Sequence, residues 1–261
     1  MILGFIGLGN MASSIISGLS LTAFSNVYAY DPAESSEEKA KNYKVDLLDN
    51  NKSVVLKSDI IVIAVKPQYL NIVIDEIKSI DFTGKIIVSI IAGVKVDAFK
   101  ELKGAKVVRT MPNTPALIRR GITAILKNPS LTDDENAKIE SIFSGIGKFL
   151  RVDIEEKMDA ITALSGSGPA YFYTFIEGLI MAGVKAGLPY DLSYELAVET
   201  GIGSLVMMRE TKENPAELRN KVSSPAGTTI YALSLLEKRG FKGDLIDAVF
   251  EAYKRSVELG K

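Results

Sequence analysis

Residues 4–12 read GFIGLGNMA, and this stretch decides the fold. An apolar run leads into a G-x-G-x-x-A pattern, in which Gly7 permits a tight turn, Gly9 lets the backbone approach a pyrophosphate and Ala12 allows close helix–strand packing. A helix predicted over 11–19 would point its free N–H groups at the phosphates. Such a loop is a simple tight turn in many proteins, but its position between a strand and a helix predicts a dinucleotide site.

Strand-like and helical patterns alternate along the chain from this loop to about residue 153. The run IIVIAV at 60–65 is apolar throughout, which suits a strand covered on both faces of a parallel sheet. The alternation predicts an α/β Rossmann-type domain over 1–153 with right-handed crossovers. The predicted strands are 2–6, 27–30, 60–65, 86–91, 107–110, 122–126 and 149–152, and the predicted helices include 11–19, 67–77 and 132–144.

Strand-like runs end near residue 154, and long helical patterns predict an all-α domain over 154–261. The stretch at 171–186 is apolar on nearly all sides, with Glu177 and Lys185 as its only charges. It is shorter than the roughly 20 residues of a membrane span, and a helix without a polar face must be covered all round. We therefore expect an interlocked helical homodimer; the alternative is the central helix of a monomeric bundle. The predicted helices are 155–164, 169–186, 191–209, 215–222, 228–238 and 242–259.

The composition removes several classes of chemistry. The 261 residues carry 31 Lys and Arg against 32 Asp and Glu, a net charge of -1, so we expect no nucleic-acid partner. There are 0 Cys and 0 His, which excludes thiolate nucleophiles, imidazole bases and the metal ligands that they provide. We expect a cytoplasmic protein with no metal and no membrane segment, whose acid–base chemistry uses other side chains, water or a cofactor.

Asp31 bears on the choice of cofactor. It follows the second predicted strand about 20 residues after the Gly-rich loop, where an acidic side chain binds the adenosine ribose 2′-hydroxyl and favours NADH. Asp31-Pro32 is also a common way to start a turn. Ser35 and Ser36 would be able to receive a 2′-phosphate, so NADPH stays open and the preference for NADH is slight.

Further motifs stand at the ends of predicted elements. AVKP at 64–67 closes a strand at the sheet edge where cofactors lie, or is only a solvated strand end. RTMPNTPA at 109–116 is a stiff loop that has either a binding or a purely structural role. LSGSGPAY at 164–171 and VSSPAGTT at 222–229 each precede a long helix, whose first N–H groups can hold a carboxylate. Capped helix junctions are the alternative for this last pair.

Six segments together resemble pyrroline-5-carboxylate reductases. They are GFIGLGNMA, AVKP, VSIIAGV, RTMPNTPALIRRGITAI, ALSGSGPAY and VSSPAGTTI, in this order over nearly the whole chain. The resemblance implies a Rossmann domain joined to a helical domain that interlocks two subunits, often as pentamers of dimers. It also implies hydride transfer from NADPH or NADH to the C=N bond of 1-pyrroline-5-carboxylate, which gives L-proline in the last step of proline biosynthesis.

The resemblance also implies the site residues. Thr229 matches the Thr that hydrogen-bonds the substrate ring nitrogen, and it is the expected catalytic residue. Ala226 stands where many relatives carry Gly, and Lys221 stands where some carry Asn, so no contact is transferred to Lys221. The implied substrate-binding residues are Glu155, Ser224, Ala226, Gly227, Thr228 and Thr229. The implied cofactor contacts, with Asp31, are Ile6, Gly7, Leu8, Gly9, Asn10, Met11, Asn51, Ala64, Val65, Lys66, Pro67, Ile90, Ile91 and Ala92.

Two other functions fit a dinucleotide-binding domain with a helical partner. A β-hydroxyacid dehydrogenase needs a general base, usually a Lys on the first long helix of the second domain, and PAYFYTFIE at 169–177 has none. A non-catalytic NAD(P)-binding protein would have lost its substrate loop, and SSPAGTT is intact. The missing imidazole suits an imine reductase, because a protonated C=N carbon already accepts hydride from the cofactor.

Overall fold

The computed structural model describes residues 1–19 and 24–260. Two compact units form within it. The first comprises Met1–Ser167 together with the segment that starts at Ala252, and the second is Gly168–Glu251.

The first unit is built on an eight-stranded sheet in the order β3-β2-β1-β4-β5-β6-β7-β8. Strands β1 to β6 are parallel, β7 is antiparallel to β6, and β8 is parallel to β7. The sheet is thus not parallel throughout, because the β6–β7 connection holds only a short 3₁₀ turn, Thr114–Ile118, and no crossover helix. The strands are β1 Leu3–Ile6, β2 Val27–Tyr30, β3 Asp46–Leu47, β4 Ile60–Ile63, β5 Ile86–Ser89, β6 Lys106–Met111, β7 Gly121–Leu126 and β8 Gly147–Val152.

Apolar clusters cover both faces of this sheet. On one face, Leu3 and Phe5 pack with Ile15 and Phe143; on the other, Ile61 packs with helix residues such as those at 73–77. Because β1, β4 and β5 are buried along their whole lengths, their sequences are apolar without alternation. The helices of this unit are α1 Asn10–Gly18, α2 Ser36–Tyr43, α3 Asn51–Lys57, α4 Leu70–Ile77, α5 Asp133–Ser144 and α6 Lys157–Ile161.

A π-helical turn, Thr162–Gly166, follows α6, so the helix predicted over 155–164 is α-helical only over Lys157–Ile161. Met158 of α6 is fully buried with Val152 and Ala124, so α6 packs with the sheet. The predicted domain boundary between 153 and 154 therefore lies ahead of the point at which the two compact units divide.

The second unit consists of helices with little buried apolar surface. Ile180 and Ala197 are its buried apolar side chains among the described residues, whereas Phe172, Tyr173 and Met181 are exposed. No helix of the described ranges is long and apolar enough to cross a membrane. The helices are α7 Gly168–Lys185, α8 Tyr190–Thr211, α9 Pro215–Lys221, α10 Thr228–Lys238 and α11 Phe241–Leu259, the last of which belongs to the first unit from Ala252 onward.

Candidate active site

The Gly-rich loop joins β1 to α1, and its two glycines have different reasons to be glycine. Gly7 has φ +93°, and a Cβ there would lie 2.9 Å from the carbonyl oxygen of Ala64. Gly9 has an ordinary φ of −73°, and a Cβ there would meet no atom within 4 Å. The fold alone therefore requires Gly7, while Gly9 leaves open space beside the N-terminus of α1 that suits a phosphate group.

Asp31 and Lys39 both bind the backbone of Leu8 in this loop, Asp31 at its N–H and Lys39 at its carbonyl oxygen. The Asp31 Oδ2 atom accepts a hydrogen bond of 2.7 Å from the Leu8 N–H, and Oδ1 accepts one of 2.9 Å from the Ala33 N–H. Lys39 Nζ donates to the Leu8 carbonyl at 3.2 Å. Asp31 thus starts a turn, which was one of the two interpretations of Asp31-Pro32. Lys39 adds a cation near this turn, for which the sequence indicated only Ser35 and Ser36 as candidates to receive a 2′-phosphate. Of those serines, Ser36 is buried.

A cleft of about 670 Å³ opens at the carboxyl ends of β1, β2 and β4. Its size is within the roughly 300–1,000 Å³ typical of ligand sites. It brings together part of the implied cofactor set: Gly7, Gly9, Asp31, Asn51, Ala64, Val65 and Lys66. Its other lining residues, which sequence reasoning missed, are Tyr30, Pro32, Ala33, Tyr69, Ile72, Val73 and Glu76.

Asn51 is the polar residue that best fits a ligand in this cleft. Its Nδ2 donates to Glu76 Oε2 at 2.6 Å, which fixes the carboxamide. Its Oδ1 is buried and has no hydrogen-bond partner among the described residues. Because an unpaired buried acceptor is costly, this oxygen is suited to accept a hydroxyl or amino group of a bound nucleotide.

The other implied cofactor residues lie outside the lining of the cleft. The side chains of Ile6, Leu8 and Ile91 are buried, which leaves only their backbone for contacts. Residues 90–92 directly follow β5, next to the end of β4 in the parallel sheet. They therefore share the carboxyl edge with the cleft. The remaining members of the set are Asn10, Met11, Pro67, Ile90 and Ala92.

Glu155 lies beside the segment that follows β5 and is held by a network of charges. Its Oε1 accepts a hydrogen bond of 2.7 Å from the Val96 N–H and is 3.7 Å from Nη1 of Arg109. Arg109 Nη2 donates to Asp159 Oδ1 at 2.7 Å, and Ser256 Oγ donates to that oxygen at 2.9 Å. The sequence singled out Glu155 and the segment around Arg109 but gave no signal for Asp159 or Ser256.

The stiff loop after β6 has structural contacts. Asn113 Nδ2 donates to the Ser165 carbonyl at 3.2 Å, and Asn113 Oδ1 accepts from the Ile122 N–H at 2.9 Å. A Cβ at Gly166 would lie 2.5 Å from Cε of Met111. The RTMPNTPA and LSGSGPAY segments therefore pack against each other, which supports the structural alternative for the polar groups of the loop.

The VSSPAGTT segment ends at the start of α10, with Gly227 as the N-cap residue. Ala226 has φ +58°, in the left-handed region that favours glycine. Ser224, Ala226 and Thr228 are exposed, and Thr229 is half-buried. This loop belongs to the second unit, whereas Glu155 belongs to the first. Near the loop, Lys221 forms an ion pair with Glu213.

Comparison with known proteins identifies the family. A family model described as pyrroline-5-carboxylate reductase dimerisation matches residues 155–259, and one described as NADP oxidoreductase coenzyme F420-dependent matches residues 2–93. A pyrroline-5-carboxylate reductase of Synechocystis is 39% identical over 99% of this chain and 98% of that protein. The chain belongs to the pyrroline-5-carboxylate reductase family. The resemblance drawn from the sequence is confirmed.

Solved structures of pyrroline-5-carboxylate reductases agree with this assignment. The Plasmodium falciparum enzyme, with NADP bound, matches with a TM-score of 0.89 and 34% identity over 100% of this chain and 98% of its own. The Streptococcus pyogenes enzyme matches with a TM-score of 0.91 and 29% identity, over 99% and 98% of the two chains. The predicted fold, a Rossmann-type domain followed by a helical domain, is confirmed.

Proposed function

We propose that this chain is a pyrroline-5-carboxylate reductase that transfers hydride from NADPH or NADH to 1-pyrroline-5-carboxylate and releases L-proline. The observation that carries the proposal is the end-to-end match to such reductases at 39% identity. The cleft at the Gly-rich loop and the intact SSPAGTT segment support it, since they supply a cofactor site and a substrate loop within one chain.

The residues of the cleft would hold the dinucleotide. The open space at Gly9 and the N–H groups that start α1 suit the pyrophosphate. The free Oδ1 of Asn51 suits the adenosine and ribose portion. Residues 90–92, at the end of β5, would line the nicotinamide. When bound, the nicotinamide supplies the hydride.

From the resemblance we propose that the loop before α10 and Glu155 each take part in substrate binding. The first N–H groups of α10 suit the substrate carboxylate, and the Thr229 hydroxyl would hydrogen-bond the ring nitrogen and keep its proton in place. The negative charge of Glu155 would favour the cationic, protonated imine. Since the product amine keeps that proton, no imidazole is needed.

Both nicotinamide cofactors fit this site. Asp31 would accept a hydrogen bond from the ribose 2′-hydroxyl of NADH, which supports a slight preference for NADH. Lys39, whose ammonium group reaches the carbonyl of Leu8, would attract the 2′-phosphate of NADPH. The Plasmodium falciparum relative contains NADP.

We also propose a homodimer formed through the helical unit. The apolar side chains that α7 and α8 expose in a single chain support this, as does the family's dimerisation domain. From the resemblance we propose further that five such dimers form a decamer and that the protein is cytoplasmic. The β-hydroxyacid dehydrogenase alternative is not favoured, because the full-length relatives are pyrroline-5-carboxylate reductases.

The decisive experiment follows the oxidation of NADH and NADPH with and without pyrroline-5-carboxylate. Substrate-dependent oxidation is expected, and its absence with both cofactors would refute the proposal. Thr229→Ala should lower kcat/KM by about 100-fold while leaving the Kd of the cofactor unchanged. Ser234→Ala is the matched control, since its hydroxyl lies on the same helix and donates to the Ile230 carbonyl, and its loss should not affect turnover.

A further inference from the structure

A buried group of charges lies behind Glu155. The Arg109 side chain is 2% exposed, and that of Asp159 is 3% exposed. The Glu155 side chain is 27% exposed. Of the three charged groups, only Glu155 is accessible enough to meet a substrate, while the other two are sealed from solvent.

The two terminal nitrogens of the Arg109 guanidinium differ in their contacts. Its Nη2 donates to Asp159 Oδ1 at 2.7 Å. Its Nη1 is buried without a hydrogen-bond partner among the described residues, and Glu155 Oε1 is 3.7 Å away. Because the guanidinium is planar and rigid, the bond to Asp159 also fixes where Nη1 points. A buried cationic N–H group without a partner is costly, so Glu155 is favoured at this location.

The backbone N–H of Val96 holds Glu155 from its other side. The Val96 N–H donates to the same Oε1 atom that faces Arg109. This bond ties Glu155 to the segment that follows β5, in which residues 90–92 are the proposed nicotinamide lining. The position of Glu155 therefore sets where its carboxylate lies relative to the proposed nicotinamide lining.

The last turn of α11, residues 256–259, contacts both Asp159 and the segment that follows β5. Ser256 is 3% exposed and donates to the Asp159 oxygen that accepts from Arg109. The same turn packs against Gly93, which has φ +77°. A Cβ there would lie 2.8 Å from Cβ of Leu259 and from the Ser256 carbonyl oxygen. Residues late in the chain thus contact Asp159 and Gly93.

We propose that Arg109 is a positioning residue for Glu155, and that Asp159 and Ser256 hold Arg109 in place. This proposal rests on the proposed function. Arg109 is buried and does not touch the substrate; it acts by fixing the carboxylate that does. Its contribution should appear in the KM for pyrroline-5-carboxylate, and it should depend on the presence of the Glu155 charge.

The test is a double-mutant cycle with Arg109→Lys and Glu155→Gln, measured at saturating NADPH. Lys keeps the charge but loses the fork, so Arg109→Lys should raise the KM for pyrroline-5-carboxylate about tenfold, and Glu155→Gln should do at least as much. In the Glu155→Gln background, Arg109→Lys should add less than about twofold, because coupled residues are not additive. The Kd for NADPH should not change.

Ser256→Ala provides a milder second variant, in case Arg109→Lys folds poorly. It removes one hydrogen bond and should raise the KM for the substrate about threefold, again with little further effect when Glu155 is already Gln. Lys106→Met is the matched control. Lys106 lies on the same strand as Arg109 and forms an ion pair with Glu135. Losing this ion pair should leave the kinetics unchanged.

If the increases in KM caused by Arg109→Lys and Glu155→Gln multiply in the double variant, the proposal is overturned, because Arg109 would then act independently of Glu155. An unchanged KM in both Arg109→Lys and Ser256→Ala would overturn it as well. In either case, the wild-type oxidation of NADPH that depends on pyrroline-5-carboxylate separates failure of this inference from failure of the proposed function.

Discussion

The sheet-based unit and the helical unit treat their apolar side chains in opposite ways. In the first, the central strands are fully buried and apolar clusters cover both faces of the sheet. In the second, few described side chains are buried, and α7 exposes large apolar residues such as Phe172 and Tyr173. One chain therefore supplies a core for the first unit, whereas the second leaves large apolar side chains exposed, which the proposed dimer would cover.

The largest expected effect tests this contrast directly. Met181→Asp changes a residue that is 57% exposed in one chain, yet it would place an unpaired carboxylate in the proposed dimer interface. We expect dissociation to monomers and more than about 100-fold loss of kcat/KM. Light scattering coupled to size-exclusion chromatography gives the mass. Leu56→Asp, at a site 65% exposed in the first unit, should remain dimeric and active. A dimeric, active Met181→Asp variant would contradict the contrast.

The next largest effect concerns the Gly-rich loop of the sheet-based unit and separates cofactor binding from stability. Gly9→Ala adds a methyl group where the protein has open space, so the melting temperature should hold while the Kd for NADPH rises at least about tenfold. Gly7→Ala is the paired change, and it should destabilise the unit because its φ is positive and the Ala64 carbonyl is close. Calorimetry and fluorescence titration measure the two quantities. Normal NADPH binding by Gly9→Ala would argue against a phosphate at this position.

A smaller effect concerns the choice of cofactor. Lys39→Met removes the cation near the ribose position, so kcat/KM should fall about fivefold with NADPH and little with NADH, a modest change because Lys39 is partly solvated. Lys41→Met, an exposed change on the same helix, is the control. Equal losses with both cofactors would show that Lys39 only supports the loop.

The smallest expected effect is a gain in the helical unit. Ala226→Gly should raise the free energy of unfolding by up to about 1 kcal/mol, because glycine adopts φ +58° without strain. Ala232→Gly, inside α10, should instead lower it by about 0.5–1 kcal/mol. Chemical denaturation of the two variants gives the comparison. Destabilisation by both would mean that Ala226 is held by contacts and not strained.

The sequence predicts the fold where burial is two-sided and continuous. The seven predicted strands are all present, because apolar runs such as 60–63 are covered on both faces. The two-residue β3 and the helices α2 and α3 were not predicted, since β3 is exposed and the polar α2 has no apolar stripe. The reversed direction of β7 depends on the length of a connection, which an apolar pattern does not record.

The candidate site shows the same limit. Gly7, Gly9, Asn51 and residues 64–66 line one cleft, and the motifs and the resemblance assign these residues to the cofactor. Lys39, Asp159 and Ser256 were missed because their partners are distant in the chain: Ser256 bonds a residue 97 positions away. Such contacts leave no local spacing to detect, so only the three-dimensional structure brings them into view.

The packing of the last helical turn on Gly93 has a consequence for biosynthesis. The sheet is encoded early in the gene, but Ser256 and Leu259, which cover Asp159 and Gly93, are translated after the helical unit. A nascent chain can assemble most of the Rossmann core during elongation, yet Asp159, the buried partner of Arg109, lacks the hydrogen bond from Ser256 until these codons have been read. Premature termination before residue 256 would therefore leave a defect in the part of the molecule that was synthesised first.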